Sequence, residues 1–402
     1  MNILFISPNS PGESTGGVER FISNLISYGV DKTDLNIHIL LPTTKEETIE
    51  TKGRVTIHHV NNLSLVNPTS TRQKEISTKV RQFASTVEML LKEHSIEIVC
   101  AENFHLGLPA AYSILLNMVA GTYNIPIVLR LHSFAIKDLQ TELINQLLWK
   151  KISCVSKSVA GDCFHKGANI DYLSTDYLGV NTQDFNATST PKFDLKERLQ
   201  LPADSQILLS ATRIVQGSKN ILQKKGLINL IGAFSKISPR YEKLRLVIGV
   251  GKTTNNLKNE FNTAYNMLLG YIQLHNIADK TIVKTFELPE MSSVYRGADI
   301  FILPSENETF GQVFIESMAC GVAVIATNVG GIPEIISDSY NGYLVPVGNT
   351  SVLSQRIENL LIDTELRNKF IQAGLKTVEN NFTSEKQFGN FFEMLKKVAT
   401  IA

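Results

Sequence analysis

Two carboxylates, Glu308 and Glu316, bracket the start of a helix in the run Pro304-Ser305-Glu306-Asn307-Glu308-Thr309-Phe310-Gly311-Gln312-Val313-Phe314-Ile315-Glu316-Ser317-Met318-Ala319-Cys320-Gly321. The run follows an apolar strand and crosses a polar loop before the helix begins near Gly311. Free backbone amides at such a start, here those of Gly311, Gln312 and Val313, suit a diphosphate. Ionised carboxylates beside an anion site suit the vicinal hydroxyls of a sugar or ribose, because each oxygen accepts hydrogen bonds. The competing reading is a solvated face. Glu316, between Ile315 and Met318 and ahead of an apolar run at 322–326, does not fit that reading.

Two further segments carry phosphate-type chemistry. Ser14-Thr15-Gly16-Gly17-Val18-Glu19-Arg20 follows the first strand and opens a helix with the apolar face Val18, Phe21, Ile22, Leu25, Ile26. Paired glycines let a backbone approach a ligand closely, although a plain strand-to-helix turn accounts for them equally well. Ser210-Ala211-Thr212-Arg213, followed by Lys224-Lys225-Gly226-Leu227, offers two cations that could clamp one diphosphate. Arg brings a planar fork and Lys a point charge, but pairs of this kind are more often surface charges. There is no Asp-x-Asp to hold a divalent cation on a diphosphate, so cationic side chains and helix amides would neutralise it and no metal is expected. Neither a G-x-x-x-x-G-K-[ST] loop nor a G-x-S-x-G elbow occurs.

The elements that must position these residues follow from apolar periodicity. A chain of 402 residues exceeds the size at which one core keeps growing, so two domains are expected. Strands are expected at 2–7, 37–41, 55–60, 97–100, 127–131 and 152–155, with amphipathic helices between them such as the one bearing Val80, Phe83, Val87, Leu90 and Leu91. A polar passage at 181–202 reads as a linker, after which strands are expected at 206–212, 244–250, 281–286, 299–303 and 322–326 and helices at 227–237, 309–320 and 352–361. Short apolar strands alternating with helices imply an α/β fold with parallel sheets covered on both faces. Two doubly wound domains in tandem would carry their ligand sites at strand ends on a shared cleft.

A net charge of +1 argues against a general nucleic-acid binder. The first residues read as a buried strand, not a signal peptide, and no apolar run approaches the roughly 20 residues a bilayer requires. Cys100, Cys154, Cys163 and Cys320 are scattered, and no histidines cluster at zinc spacing, which suits a reduced cytoplasmic protein. Leu143, Ile144, Leu147, Leu148 and Trp149, followed by Lys150-Lys151, could touch the inner face of a membrane peripherally, or could be core packing.

Taken together, Glu308, Phe310-Gly311 and Glu316, with Ala326-Thr327-Asn328-Val329-Gly330-Gly331-Ile332-Pro333-Glu334, closely resemble the C-terminal signature of the retaining family 4 glycosyltransferases. Arg213 with Lys225-Gly226, the Gly16-Gly17 loop, Arg130-Leu131-His132, Cys154-Val155-Ser156 and Gly179-Val180-Asn181 look like that family's other landmarks in the right order, from near residue 3 to about residue 345. The resemblance implies a GT-B fold, two Rossmann-like domains with parallel sheets facing a central cleft. An acceptor-side domain would span 1–182 and a nucleotide-sugar domain 183–384, with a last helix at about 385–402 packed back on the first. Glu316 would bind the ribose, Arg213 and Lys225 the diphosphate, and Glu308 the donor sugar, with the amides of Phe310 and Gly311 lining it. Gly16 and Gly17 would close over the phosphates, His132 would lie near the anomeric centre, and the base would meet backbone near Thr285 and Phe286.

The implied reaction is metal-free transfer of a hexose-type sugar, with retention, from a nucleotide-diphosphate donor, taken as UDP, to a hydroxyl of a glycan, glycolipid or small-molecule acceptor. Many relatives build cell-surface polysaccharide. A sugar-nucleotide epimerase of the same architecture, a phosphorylase and a silent nucleotide-sugar-binding homologue stay open. The sequence departs from the pattern in four places: Thr212 stands where a glycine is usual, residues 214–224 lengthen the gap before Lys225, Lys224 competes with Lys225 as the phosphate lysine, and Val322 replaces a common proline. The insertion could be a flap over the donor or an acceptor contact.

Overall fold

Strands with no polar alternation need cover on both faces, and the chain supplies it by placing a helix after nearly every strand. The structure is a computed structural model that describes residues 1–11, 16–63, 73–135, 138–188, 191–215, 220–251 and 257–401. Ser14 and Thr15, and 216–219 of the insertion, lie outside the described residues. The chain divides into two compact units, one made of 1–12, 17–178 and 385–402, the other of 13–16 and 179–384.

The first unit runs β1 (Asn2–Ile6), α1 (Gly17–Asp31), β2 (Asn36–Pro42), β3 (Thr48–Lys52), β4 (Val55–Val60), α2 (Gln73–Glu93), β5 (Ile98–Glu102), α3 (Ala110–Thr122), β6 (Ile127–Leu131), α4 (Asp138–Asn145), β7 (Lys151–Cys154), α5 (Lys157–His165) and β8 (Leu173–Thr175). Its sheet has the order β3-β4-β2-β1-β5-β6-β7-β8 and is parallel except for the edge strand β3, which is antiparallel to β4. Every residue of β3 is exposed, so Thr-Ile-Glu-Thr-Lys shows no apolar period and is not predicted as a strand. β8 has only three residues, too few for a pattern.

The second unit continues with α6 (Leu195–Arg198), β9 (Gln206–Thr212), α7 (Ile221–Lys224), α8 (Leu227–Ile237), β10 (Leu244–Val250), α9 (Lys258–Leu274), β11 (Thr281–Thr285), α10 (Met291–Arg296), β12 (Ile300–Leu303), α11 (Gln312–Ala319), β13 (Ala323–Thr327), β14 (Tyr343–Val345), α12 (Thr350–Ile362) and α13 (Thr364–Asn381). All its strands are parallel, in the order β11-β10-β9-β12-β13-β14. The core shows why α8 forms where its spacing predicts: Leu227, Leu230, Ile231, Phe234 and Ile237 recur at helical period and all are buried. Within the passage read as a linker, Asp194 caps the single-turn helix α6 by accepting hydrogen bonds from the amides of Lys196 and Glu197.

The last helix, α14 (Ser384–Ile401), belongs to the first unit from Glu385 onward. Phe388 packs on Tyr28 and Phe21, and Phe391 on Phe5, with ring centroids 5.0, 5.6 and 6.3 Å apart. Lys32, just beyond α1, pairs with Glu385 at the start of α14. Among the described residues no helix is long and apolar enough to cross a membrane. The stripe at 143–149 does not form a continuous exposed face: Leu143, Ile144 and Trp149 are buried and Leu148 is exposed. All four cysteines are buried and unbridged.

Candidate active site

In a doubly wound sheet, a crevice opens at the carboxyl ends of the strands where the winding direction reverses. In the second unit that point lies between β9 and β12, because the chain runs outward from β9 to β10 and β11 on one side and from β12 to β13 and β14 on the other. Arg213 directly follows β9, and the loop bearing Glu308 directly follows β12. Phe286 follows β11, and the Gly330-Gly331 turn follows β13. Arg213, Phe286 and Glu308 thus emerge from the carboxyl ends of strands of one sheet, whereas Gly17 and His132 belong to the first unit.

Two tight backbone contacts fix the centre of this edge. Gly226 caps α8 in the left-handed region, with φ at 68°, and a Cβ there would lie 1.8 Å from the carbonyl oxygen of Pro304. The amide of Glu306 donates to the carbonyl of Lys224 at 2.8 Å, locking the 224–226 turn to the exit of β12. On the other side Gly330, with φ at 54°, would bring a Cβ 1.7 Å from the carbonyl oxygen of Glu308, which accepts from the amide of Gly331 at 3.1 Å. Between these clamps Lys225 Nζ lies 3.2 Å from Glu308 Oε2, the two side chains 18% and 17% exposed. Of the two adjacent lysines, Lys224 is exposed and Lys225 faces Glu308.

Gly311, with φ at 102°, turns the chain into α11, which starts three residues later than the predicted helix for that reason. Glu316 is buried in α11 and accepts a hydrogen bond from the hydroxyl of Tyr295 at 3.1 Å. Tyr295, on α10, is a site residue that sequence reading missed; a fully buried tyrosine needs a partner for its hydroxyl, but nothing in its neighbourhood in the chain points to Glu316. Gln312 is buried, and its Oε1 has no hydrogen-bond partner among the described residues. Val313 is half-buried. The Phe310 and Phe286 side chains are buried, Phe310 against Phe382 and Phe286 beside Gly249, leaving backbone to serve a ligand. Arg213 is half-buried at its strand end; the structure gives it that position and no contact with the Lys225–Glu308 pair. At the two ends of the 214–224 insertion, Ile214, Ile221 and Leu222 join the core, beside a cavity of about 420 Å³ that Met267 and Tyr271 of α9 also line.

In the first unit His132 follows β6, and its Nε2 lies 2.7 Å from Oε2 of Glu102 at the end of β5. Its amide donates to Asn103 Oδ1 at 2.8 Å. Both side chains are buried, and His132 Nδ1 has no partner among the described residues. Burial holds the imidazole pKa below its usual value, opposed by the hydrogen bond that the ring donates to Glu102. A neutral ring that donates from Nε2 leaves Nδ1 as an open acceptor. Glu102 was also missed from sequence; its signal is an acid closing the apolar run Ile98-Val99-Cys100-Ala101. Arg130 is buried between the Phe21 and Phe391 rings, 4.4 and 4.0 Å from their centroids. Gly17 opens α1 with nothing among the described residues within 4 Å of where a Cβ would stand, and Gly16 is buried just before it.

These histidines give a pH prediction. Burial lowers His132, takes His105 to about 3 and takes both His38 and His58 to about 4. The folded pKa values lie below the unfolded value near 6.5, so the unfolded chain binds more protons between them and stability rises with pH. The unfolding midpoint should hold near pH 7 and fall as pH drops from about 6.5 towards 4, a window above most carboxylate titration. A scan of melting temperature against pH checks this; a flat profile between pH 5 and 7 contradicts it.

Comparisons with known proteins bear on the family and the fold. The family described as glycosyl transferases group 1 matches residues 195–377. Over 169 residues the chain is 33% identical to an N-acetyl-alpha-D-glucosaminyl L-malate synthase of Bacillus anthracis, a match covering 42% of this chain and 41% of that relative's length. Over 380 residues it is 26% identical to an uncharacterized glycosyltransferase of Methanocaldococcus jannaschii, covering 92% of each. The Anabaena protein HepE, solved with UDP and glucose, shares the fold with a TM-score of 0.75 and 16% identity, covering 98% of this chain and 99% of that one. Residues 195–377 are a group 1 glycosyl transferase domain. With a Rossmann-like unit preceding it, the chain has the two-unit parallel α/β make-up of the GT-B fold implied by the sequence resemblance. The matched region contains Arg213, Lys225, Phe286, Glu308, Gly311 and Glu316, whereas Gly16, Gly17 and His132 lie outside it.

Proposed function

We propose that the chain is a retaining glycosyltransferase that moves a hexose-type sugar from a UDP-sugar to a hydroxyl of a glycan, glycolipid or small-molecule acceptor, without a metal on the donor diphosphate. The observation that carries this reading is the Lys225–Glu308 pair, clamped by Gly226 and Gly330 at the switch point of the second sheet. A cation suited to phosphate and an acid suited to sugar hydroxyls stand 3.2 Å apart there, so one ligand carrying both groups would engage both. The UDP and glucose held by HepE support uridine as the base and a hexose as the cargo.

In the proposed reaction the glycosidic C–O bond of the donor breaks, and its electron pair goes to the departing phosphate oxygen. Lys225, Arg213 and the amides of Gly311, Gln312 and Val313 would stabilise that charge, a preorganised effect worth about 10²–10³ in rate per key donor. The acceptor oxygen bonds to the anomeric carbon from the same face, and its proton passes to the leaving phosphate. Glu308 would hold the sugar hydroxyls, Glu316 the ribose, and His132 Nδ1 would accept from a further hydroxyl near the anomeric centre. Gly16 and Gly17 would close over the phosphates, and backbone at Thr285 and Phe286 would meet the base. The buried, unbridged cysteines fit a cytoplasmic setting.

The test is a thermal-shift screen of UDP, GDP and their sugars, followed by product analysis. UDP at about a hundredfold over its Kd should stabilise the protein by about 2.7 kcal/mol. A glycosylated acceptor whose new bond keeps the donor's anomeric configuration, formed equally well with chelator present, completes the expectation. Stabilisation by GDP alone would overturn the choice of base, and an epimerised donor formed without acceptor would overturn transfer itself.

A further inference from the structure

Histidines that are far apart in the sequence meet in the first unit. His38 lies in β2, His58 in β4, and His94 just beyond α2. β2 and β4 are parallel neighbours in which Leu40 pairs with His58, so His38 and His58 stand two residues apart in register and share a face of the sheet. His94 reaches that face from the end of α2, its ring stacked on His38 with centroids 4.2 Å apart. His38 Nδ1 and His58 Nε2 are 3.3 Å apart, and one nitrogen from each of the three rings lies within 4.8 Å of the others. His94 lies near the amino-terminal end of β1, where its carbonyl accepts from Asn2.

We propose that His38, His58 and His94 form a structural site for a divalent first-row metal ion, zinc above others, which ties β2, β4 and the end of α2 together. Zn–N bonds of 2.0–2.1 Å in a tetrahedron put ligand nitrogens about 3.4 Å apart. One edge of such a site is therefore already present, and the remaining separations close by about 1.4 Å or less through rotation of the rings. All three ligands are imidazoles, which suits zinc and not the hard ions magnesium or calcium, whose shells are built from oxygen. A solvent molecule would complete the shell on the side of His94, which is half-buried. Alternation hides the site in the sequence: each strand histidine sits in an apolar run and reads as a packed core residue.

The test uses the full chain, stripped by chelator and titrated with Zn²⁺ against a chromophoric competitor. One equivalent should bind, with a rise in melting temperature, and Co²⁺ in its place should give the visible absorption of a tetrahedral nitrogen site. His94→Ala should weaken binding by more than about a hundredfold, because loss of even an outer-shell partner costs 10–100-fold. His59→Ala, next to the cluster but outside it, should bind as the unaltered chain does. The Co²⁺ spectrum is read on the unaltered chain, so the proposal does not depend on a variant that folds. Sub-stoichiometric uptake, an octahedral cobalt spectrum, or binding unaffected by His94→Ala would each overturn it and leave the cluster as a stack of neutral core imidazoles.

Discussion

Replacing Lys225 by alanine is expected to lower kcat/KM for the donor by about 10²–10³-fold, because it removes a preorganised cation from the point where leaving-group charge develops. In the free protein this ammonium is 3.2 Å from Glu308. Their gross attraction is about 5 kcal/mol at an effective dielectric near 20, but desolvation of both groups offsets most of it, so the pair adds little to stability. The melting temperature should accordingly change little, while activity falls sharply. Glu316→Ala should lose at least about tenfold, since charge-assisted hydrogen bonds of this kind are worth about 1.5–3 kcal/mol. The two substitutions separate the roles: loss at Lys225 should appear in kcat as well as KM, whereas loss of ribose binding at Glu316 should appear mainly in KM. Steady-state kinetics on variants with unaltered circular dichroism make the measurement. Near-normal kinetics in both would remove the donor site from this edge of the sheet.

How much of this was legible in the sequence depends on the kind of signal. The parallel strands of both units could be read because burial on two faces demands uninterrupted apolar runs, and Ile3-Leu4-Phe5-Ile6 and Ile300-Phe301-Ile302-Leu303 are such runs. The edge strand β3 could not, since exposure on every residue erases the pattern. Of the candidate site, Glu308 stood out beside the helix start at Gly311, Glu316 as an acid among apolar neighbours, and Lys225 as a cation next to Gly226. Their partners did not. Glu102 and Tyr295 are single residues whose importance comes from what lies across from them in space, as do the three histidines at 38, 58 and 94. A sequence shows a residue's place in its own element, and tertiary pairing decides the rest.

Gly226→Ala and Gly330→Ala should be the most damaging single-methyl changes in the second unit. Each glycine has positive φ, at 68° and 54°, where alanine costs about 1–2 kcal/mol by itself. Each added Cβ would also fall inside a backbone carbonyl oxygen, at 1.8 and 1.7 Å, and a carbonyl in a locked turn cannot rotate away as a side chain would. The backbone must move, so the total cost should reach at least about 3 kcal/mol. For a unit of this size each kcal/mol lowers the melting temperature by about 2–4 °C, giving a drop of about 6–12 °C. The same displacement reaches the site, since the two oxygens belong to Pro304 and Glu308, on either side of the loop that presents the Glu308 carboxylate to Lys225. Activity measured well below the melting temperature should therefore still fall by more than about tenfold, the effect of a misplaced binding group. Gly270→Ala is the control: it lies in α9 with nothing within 4 Å of its Cβ position, and should stabilise the helix by about 0.5–1 kcal/mol. If Gly226→Ala and Gly330→Ala melt and turn over like Gly270→Ala, the clamps do not hold the site.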